Sequence, residues 1–158
     1  MPVKVYAEHG ALNQAIRRMQ DAGRIELLHF PYDPDSRSKA IPGTAAPSAA
    51  RIDDLHLPIG ALPGKISDYE GSPHYPTILG ILGAQNRRDA LHVDSAFKSG
   101  CRALLTRDSD ILTHRDRLEA VLGIRFFHPD RDEADFSRFV ADQESRTPGA
   151  SGATGESV

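Results

Sequence analysis

The chain has 158 residues, of which 39% are hydrophobic and 26% charged, and its formal net charge is −3. This size and composition are typical of one globular domain. The net negative charge argues against a domain that attracts nucleic acid over its whole surface.

No apolar run approaches the ~20 residues needed to span a bilayer, and residues 1–5 lack the apolar segment of a secretory signal. The single cysteine, Cys101, excludes a disulfide framework and disfavours a thiolate zinc site. We therefore expect a cytoplasmic protein without a membrane partner.

The basic residues are unevenly divided, with fifteen arginines and four lysines. The planar guanidinium binds phosphate through two parallel hydrogen bonds, so a local phosphate-binding rim is compatible with an acidic chain. The alternative is that these arginines simply populate solvated helix faces.

A repeated pattern of helix, glycine and short apolar strand defines the fold class. Residues 3–7 form the first strand candidate, and three further strand candidates follow Gly23, Gly100 and Gly123. Each glycine lies where a helix would end in the left-handed conformation, and the residues before it have the apolar period of a helix. Alternating strands and helices predict a single-domain α/β fold with a mostly parallel sheet flanked by helices.

The segment between residues 31 and 76 differs from the rest, because it contains eight of the eleven prolines. We expect it to be mostly loop, with a short helix at about 48–55 that is capped by Ser48. We also expect residues 31–46 and 58–74 to border the functional cleft, since long loops in compact domains are usually functional or disordered. Further helices are predicted at 77–84 and 133–144. The domain would thus span residues 1–144, and residues 145–158 form a polar tail for which we expect disorder.

Acidic residues follow two of the predicted strands. Glu8 comes after the first strand, and Asp108 and Asp110 come after the strand at 103–106, whereas Asp89 begins the preceding helix. Ligands of parallel sheets bind at the carboxyl ends of the strands. A cleft shared by several carboxylates is costly without a cation, and oxygen ligands favour Mg²⁺ or Mn²⁺. The alternative is that Asp108 caps a turn and that Asp89 complements the helix dipole.

The C-terminal half resembles the PIN (PilT N-terminus) domain family. That family has an Asp at a helix start, a small residue deeper in the helix, a Gly, an apolar strand and then Thr-x-Asp-x-Asp. Residues 89–96, Gly100 and residues 104–110 reproduce this order, and residues 123–129 are similar to the last strand of the family. The resemblance implies a Mg²⁺- or Mn²⁺-dependent nuclease that acts on RNA through three or four acidic residues. Asp89 and Asp108 match two of these acids, and Asp110 matches an auxiliary one.

The N-terminal half departs from the family pattern. Glu8 occupies the position of an Asp that ends the first strand, and the helix at 48–55 offers Asp54, or alternatively Asp53, for the second acid. The resemblance therefore implies catalytic roles for Asp89, Asp108, Asp54 and Glu8, with Asp110 as a further metal ligand.

Four other residues are candidates for substrate contacts. Arg87 and Arg88 precede Asp89, Arg107 precedes Asp108, and His92 shares a helix face with Asp89. A partly buried histidine of structural function is the alternative for His92.

Two functions follow from these observations. The first is a metal-dependent endoribonuclease, either of the toxin–antitoxin type or active in RNA processing. The second is a PIN-like module without catalysis that binds RNA or a protein partner, such as an antitoxin. Three carboxylates directed into one cleft would favour the nuclease. The family also implies a possible homodimer, for which the apolar helix around residues 78–82 is the candidate surface.

Overall fold

The computed structural model describes residues 2–8, 10–29, 43–44 and 71–146. Their strands are β1 (Val3–Ala7), β2 (Ile25–His29), β3 (Gly43–Thr44), β4 (Ala103–Leu105) and β5 (Arg125–Phe127). These five strands form one sheet in the order β3-β2-β1-β4-β5, and every neighbouring pair is parallel. The predicted α/β class with a parallel sheet is confirmed.

Helices cover both faces of this sheet. They are α1 (Gln14–Asp21), α2 (Tyr75–Leu82), α3 (Arg87–Lys98), α4 (Ser109–Thr113), α5 (Arg115–Leu122) and α6 (Glu133–Arg146), with a 3₁₀ turn at Ala84–Asn86. Side chains alternate between the two faces along each strand. One apolar cluster joins Tyr6, Leu104 and Phe126 to α2, α3 and α5. The other joins Val5 and Leu105 to α1 and α6.

The three predicted helix-ending glycines have the expected conformation. Gly23, Gly100 and Gly123 have φ angles of 75°, 74° and 73°, a region that side chains with a Cβ rarely occupy. A strand begins within three residues of each of them, so these glycines mark the turns from helix to sheet.

The remaining helices differ from the predictions in extent. The helix expected at 77–84 begins at Tyr75 and ends at Leu82, and the last helix continues to Arg146, two residues beyond the predicted domain end. The helix α4 was not predicted separately. The helix proposed at 48–55 and most of the two loop segments lie outside the described residues.

The helix α2 does not offer the apolar dimer surface that the sequence suggested. Ile78, Ile81 and Leu82 are buried in the core of the same chain, and Leu79 is partly buried against it. The homodimer itself stays a prediction, but α2 gives no free apolar surface for it, because its apolar residues pack in the core of the same chain.

Among the described residues, none of the helices combines the length and the apolar character that crossing a bilayer requires.

Candidate metal centre

The candidate site lies where the order of the sheet reverses. From β1 the chain proceeds to β2 and β3 on one side, whereas β4 and β5 lie on the other side, so β1 and β4 are neighbours without being consecutive. Ligand sites of open parallel sheets occur at the carboxyl ends of two such strands. The residue that follows β1 continues the pairing with the last residue of β4, since the backbone N–H of Glu8 donates to the carbonyl of Leu105 at 3.1 Å.

Three aspartates meet at this edge. Asp89, Asp108 and Asp110 each offer a carboxylate oxygen, and these oxygens all lie within 4.8 Å of one another. Asp89 and Asp108 are half-buried, and Asp110 is exposed. The predicted approach of Asp89 to Asp108 is confirmed, whereas the third acid expected with them, Asp54 or Asp53, lies outside the described residues.

A tight turn brings Asp89 to this edge. Gly83 has a φ of 100° and turns the chain from α2 into the 3₁₀ turn that leads into α3. The side-chain amide of Asn86 donates to the carbonyl of Leu82 at 2.6 Å and holds the turn. Asp89 lies in the first turn of α3, so the N-terminus of α3 is delivered to the carboxyl edge of the sheet. The sequence could not show this placement.

The two aspartates after β4 are positioned by their own backbone. One carboxylate oxygen of Asp108 accepts from the backbone N–H of Asp110 at 2.8 Å, so Asp108 caps α4. The backbone N–H of Asp108 donates to the hydroxyl of Thr106 at 2.9 Å. The capping role considered as an alternative for Asp108 is therefore real. It coexists with the approach to Asp89, because a carboxylate has two oxygens and about four acceptor positions.

The proximity of the carboxylates changes the acidity of Asp89. Burial raises the pKa of Asp89 to about 6, and the charge of Asp108, a hydrogen bond with Asp108 and the charge of Asp110 act in the same direction. The charge of Arg88 opposes this shift of the pKa. Like charges in a partly desolvated cleft favour the neutral acid, so Asp89 keeps its proton to a higher pH than an ordinary aspartate.

The donor set fits a hard divalent cation. With ligand bonds of 2.0–2.1 Å, oxygens on opposite sides of a Mg²⁺ ion are roughly 4.2 Å apart. Separations of up to 4.8 Å thus need only small carboxylate rotations to match this ion or the slightly larger Mn²⁺. Because all three donors are oxygens, magnesium and manganese suit them better than the softer metals that favour sulfur or imidazole.

Glu8 is not part of this group. Its Oε1 accepts a hydrogen bond from the hydroxyl of Thr106. The register of the sheet explains the contact, because Ala7 pairs with Leu105 and the next two residues are therefore opposite each other. Glu8 is thus connected to Asp108 through Thr106, whereas its predicted role as a direct metal ligand stays a prediction.

Thr106 is the residue of this site to which the sequence analysis assigned no role. It is fully buried, donates to Glu8 and accepts from the backbone N–H of Asp108. The signal was present in the sequence, since Thr106 begins the Thr-x-Asp-x-Asp segment. Its function became visible only with the pairing of β1 and β4.

Asp54 and Asp53 lie outside the described residues, so the second acid of the family pattern stays a prediction.

The structure favours the structural alternative for His92. Its side chain is only 7% exposed, and its Nδ1 is hydrogen-bonded to the hydroxyl of the fully buried Tyr6. The ring joins α3 to β1, because the face of α3 that contains His92 is turned towards the sheet. The substrate contact of His92 stays a prediction, and the observed burial favours the structural alternative.

The three candidate arginines differ in their surroundings. Arg88 is exposed and close enough to lower the pKa of Asp89, and Arg87 is half-buried in the same turn of α3. The guanidinium of Arg107 donates to the carbonyl of Gly10 at 2.8 Å and forms an ion pair with Asp130. Arg88 therefore remains the best placed of the three for contact with a phosphate at the acidic centre.

Comparison with models of known protein families, with curated proteins and with solved structures finds no match to this chain. The resemblance to PIN domains stays a prediction that depends on the residues quoted from the sequence.

Proposed function

We propose that this chain is a PIN-like endoribonuclease that hydrolyses RNA phosphodiester bonds with Mg²⁺ or Mn²⁺. The observation that supports the proposal best is the approach of Asp89, Asp108 and Asp110, whose carboxylate oxygens lie within 4.8 Å of one another. This group lies at the switch point of a parallel sheet, where ligand sites are expected. The order of acids along the chain is also the one that the family resemblance implies.

In this proposal Asp89, Asp108 and Asp110 hold the cation. A divalent cation supplies charge neutralisation for phosphate oxygens and acidifies water for attack on phosphorus. Asp108 is kept in place by the hydroxyl of Thr106 and by its own cap of α4, so its carboxylate loses little conformational freedom when it binds an ion. Glu8 acts on Asp108 through Thr106 and is a positioning residue.

Arginine next to the acidic group supports a phosphodiester substrate. Arg88 is exposed beside Asp89, and its guanidinium can bind phosphate oxygens through two hydrogen bonds. An acidic pocket alone would repel a polyanion. A cation held by the aspartates and a flanking guanidinium together reverse that local charge, although the chain as a whole has a net charge of −3.

The second candidate is a PIN-like module that binds RNA or a protein partner without cleaving it. One observation favours it: Glu8, the residue at the position of the first family acid, is hydrogen-bonded to Thr106 and lies outside the group of three aspartates. The two candidates differ in whether a metal ion leads to cleavage.

A cleavage assay with matched variants separates the two candidates. The wild type is incubated with mixed RNA and Mn²⁺, with and without chelator, beside Asp108→Asn and Asp142→Asn. Asp142 is exposed on α6, so its variant removes the same charge away from the site. The nuclease proposal expects cleavage that chelator and Asp108→Asn abolish and that Asp142→Asn leaves intact. Absence of Mn²⁺-dependent cleavage by the wild type would favour the binding module.

A further inference from the structure

A cationic pocket lies next to the acidic group. It has a volume of about 250 Å³ and lies between α4, the start of α5 and the segment after β5. It is lined by Ser109, Leu112, Thr113, Arg115, His128, Arg131 and Asp132. Ser109 stands between Asp108 and Asp110 in the chain, so its Cα is about 3.8 Å from each of theirs. The pocket and the acidic group therefore share the α4 segment.

The wall after β5 is held in one conformation by reciprocal hydrogen bonds. The backbone N–H of His128 donates to a carboxylate oxygen of Asp132 at 2.8 Å, and the backbone N–H of Asp132 donates to the carbonyl of His128 at 3.0 Å. The same oxygen of Asp132 accepts from Arg115 at 2.9 Å. The guanidinium of Arg115 is thus oriented before any ligand binds.

The ring of His128 is also fixed as a donor. Its Nδ1 accepts from the backbone N–H groups of Asp130 and Arg131, each at 3.1 Å. The proton of the neutral ring must therefore be on Nε2, because a nitrogen that accepts cannot also hold the hydrogen. The pocket lining thus includes an imidazole whose N–H is on Nε2.

The charge of the pocket favours an anion. Arg115 and Arg131 contribute two positive charges and Asp132 one negative charge, and Asp132 is engaged by Arg115. Burial favours the neutral form of Asp132, but the hydrogen bonds from His128 and Arg115 outweigh it and lower the pKa. Among the described residues, the exposed guanidinium of Arg131 has no side-chain partner. It is the donor that a ligand can engage without breaking an existing contact.

We propose that this pocket binds a phosphate group of the RNA strand next to the one held at the acidic group. Its volume of about 250 Å³ is below the roughly 300–1,000 Å³ of pockets that enclose a whole small molecule, and it suits a phosphate with part of its sugar. This inference rests on the proposed function, because it assigns a second subsite to the same substrate. A free mononucleotide offers the same phosphate chemistry, and the test therefore includes it.

The test compares Arg131→Gln with Arg117→Gln. Both variants remove one positive charge from an exposed side chain, but Arg117 does not line the pocket. A fluorescently labelled single-stranded RNA is titrated by anisotropy with Ca²⁺ in place of Mn²⁺, so that an oxygen-preferring cation neutralises the aspartates, and a gel of the same samples verifies that the strand is intact. We expect Arg131→Gln to weaken binding about fivefold and to reduce the slope of log affinity against log salt by about 0.7, the value for one lost phosphate contact of a single strand. Arg117→Gln should stay within about twofold of the wild type.

The binding assay tests the phosphate subsite, and its result does not depend on whether the protein cleaves RNA. Equal affinities and salt slopes for the two variants, or a wild type that binds no RNA, overturn the subsite even if the protein cleaves RNA. The expected difference between the variants supports the subsite even if Mn²⁺ produces no cleavage. A titration with adenosine monophosphate separates the two phosphate sources. Tighter, Arg131-dependent binding of the mononucleotide than of the RNA would contradict the assignment to a strand.

Discussion

The carboxyl ends of β1 and β4 lie side by side, yet their acidic residues are used differently. After β4, Asp108 and Asp110 approach Asp89, with oxygens within 4.8 Å. After β1, Glu8 is directed to the hydroxyl of Thr106 and is not a member of that group. The same edge of the sheet therefore contains one set of acids that can share an ion and one acid that is hydrogen-bonded to the threonine beside them.

An acidic residue at the edge of the sheet where substrates bind is therefore not necessarily a metal ligand. The position of Glu8 is explained by register, since it is opposite a threonine whose hydroxyl already accepts from the backbone N–H of Asp108. Asp108 is free to approach Asp89 because its capping bond uses only one of its oxygens. We therefore expect Glu8 and Asp108 to differ in function as they differ in contacts.

The largest expected effect is the loss of activity in Asp108→Asn. Removal of a metal ligand should lower Mn²⁺-dependent RNA cleavage by more than about 100-fold, since even the loss of a residue that only orients a ligand costs about 10–100-fold. Glu8→Gln retains an oxygen that can accept from Thr106 and should lower the rate by only about 10-fold. Initial rates at saturating Mn²⁺ measure both effects.

The stability of Asp108→Asn distinguishes its two roles. In chelator its melting temperature should equal or exceed that of the wild type, because one of three repelling charges is gone and Asn caps a helix nearly as well as Asp.

The activities of the two variants give the contrary outcome. Equal losses of activity in Glu8→Gln and Asp108→Asn would remove the distinction between ligand and positioning residue.

The next effect concerns the buried hydroxyl that connects the two acids. Thr106→Val removes the donor to Glu8 and the acceptor for the backbone N–H of Asp108 while it preserves the shape of the side chain. We expect the free energy of unfolding to fall by about 1–3 kcal/mol, the usual cost of leaving buried polar groups unpaired. Thr106→Ser is the control for the hydroxyl, and it should retain RNA cleavage where Thr106→Val does not. Urea unfolding of both variants gives the comparison, and a valine variant as stable as the wild type would show that the hydroxyl does not support the site.

A smaller effect is the pH dependence of the metal-free protein. The pKa of Asp89 is about 6 in the folded chain against an ordinary value of 3.8, so the folded state holds its proton more tightly than the unfolded state. Stability should therefore fall as the pH rises from about 4 to 6, with the loss complete above pH 6. After allowance for solvent screening of this half-buried group, the loss is about 1–2 kcal/mol.

The variant Asp89→Asn isolates this contribution. The pKa values of Asp130 and Asp132 are lowered in the folded chain. These two residues therefore make the stability rise with pH in the acidic range up to their ordinary pKa. The wild type and Asp89→Asn share this contribution, so it cancels when the two are compared. Urea unfolding in chelator at pH 4 and pH 7 should show that the variant gains stability relative to the wild type at the higher pH. A constant difference between the two proteins would mean that folding does not raise the pKa of Asp89.

The sequence predicted the elements that depend on local signals. The glycines at helix ends and the proximity of Asp89 to Asp108 follow from turn chemistry, periodicity and the family resemblance. The strand predicted at 3–7 has these bounds in the structure, and the strand predicted at 103–106 ends one residue earlier. The helix α4 escaped prediction because its five residues are too few for an apolar period.

What the sequence could not predict depends on contacts between distant segments. The roles of Thr106 and Glu8 depend on the pairing of strands that are almost 100 residues apart. The burial of His92 depends on which face of α3 meets Tyr6. Helical spacing placed His92 near Asp89, but only the packing of α3 on the sheet decides which side chains reach the cleft.

The most direct test of the metal centre measures how much Mn²⁺ raises the melting temperature. The proteins compared are the wild type, Asp108→Asn, Glu8→Gln and Asp142→Asn. At a Mn²⁺ concentration of 100 times Kd, the ion should stabilise the wild type by about 2.7 kcal/mol, or roughly 5–10 °C for a chain of this length. The account predicts that Glu8→Gln and Asp142→Asn retain most of this increase and that Asp108→Asn loses it. A wild type whose melting temperature ignores saturating Mn²⁺ and Mg²⁺, or an Asp108→Asn protein that responds like the wild type, would contradict a metal centre built on these three aspartates.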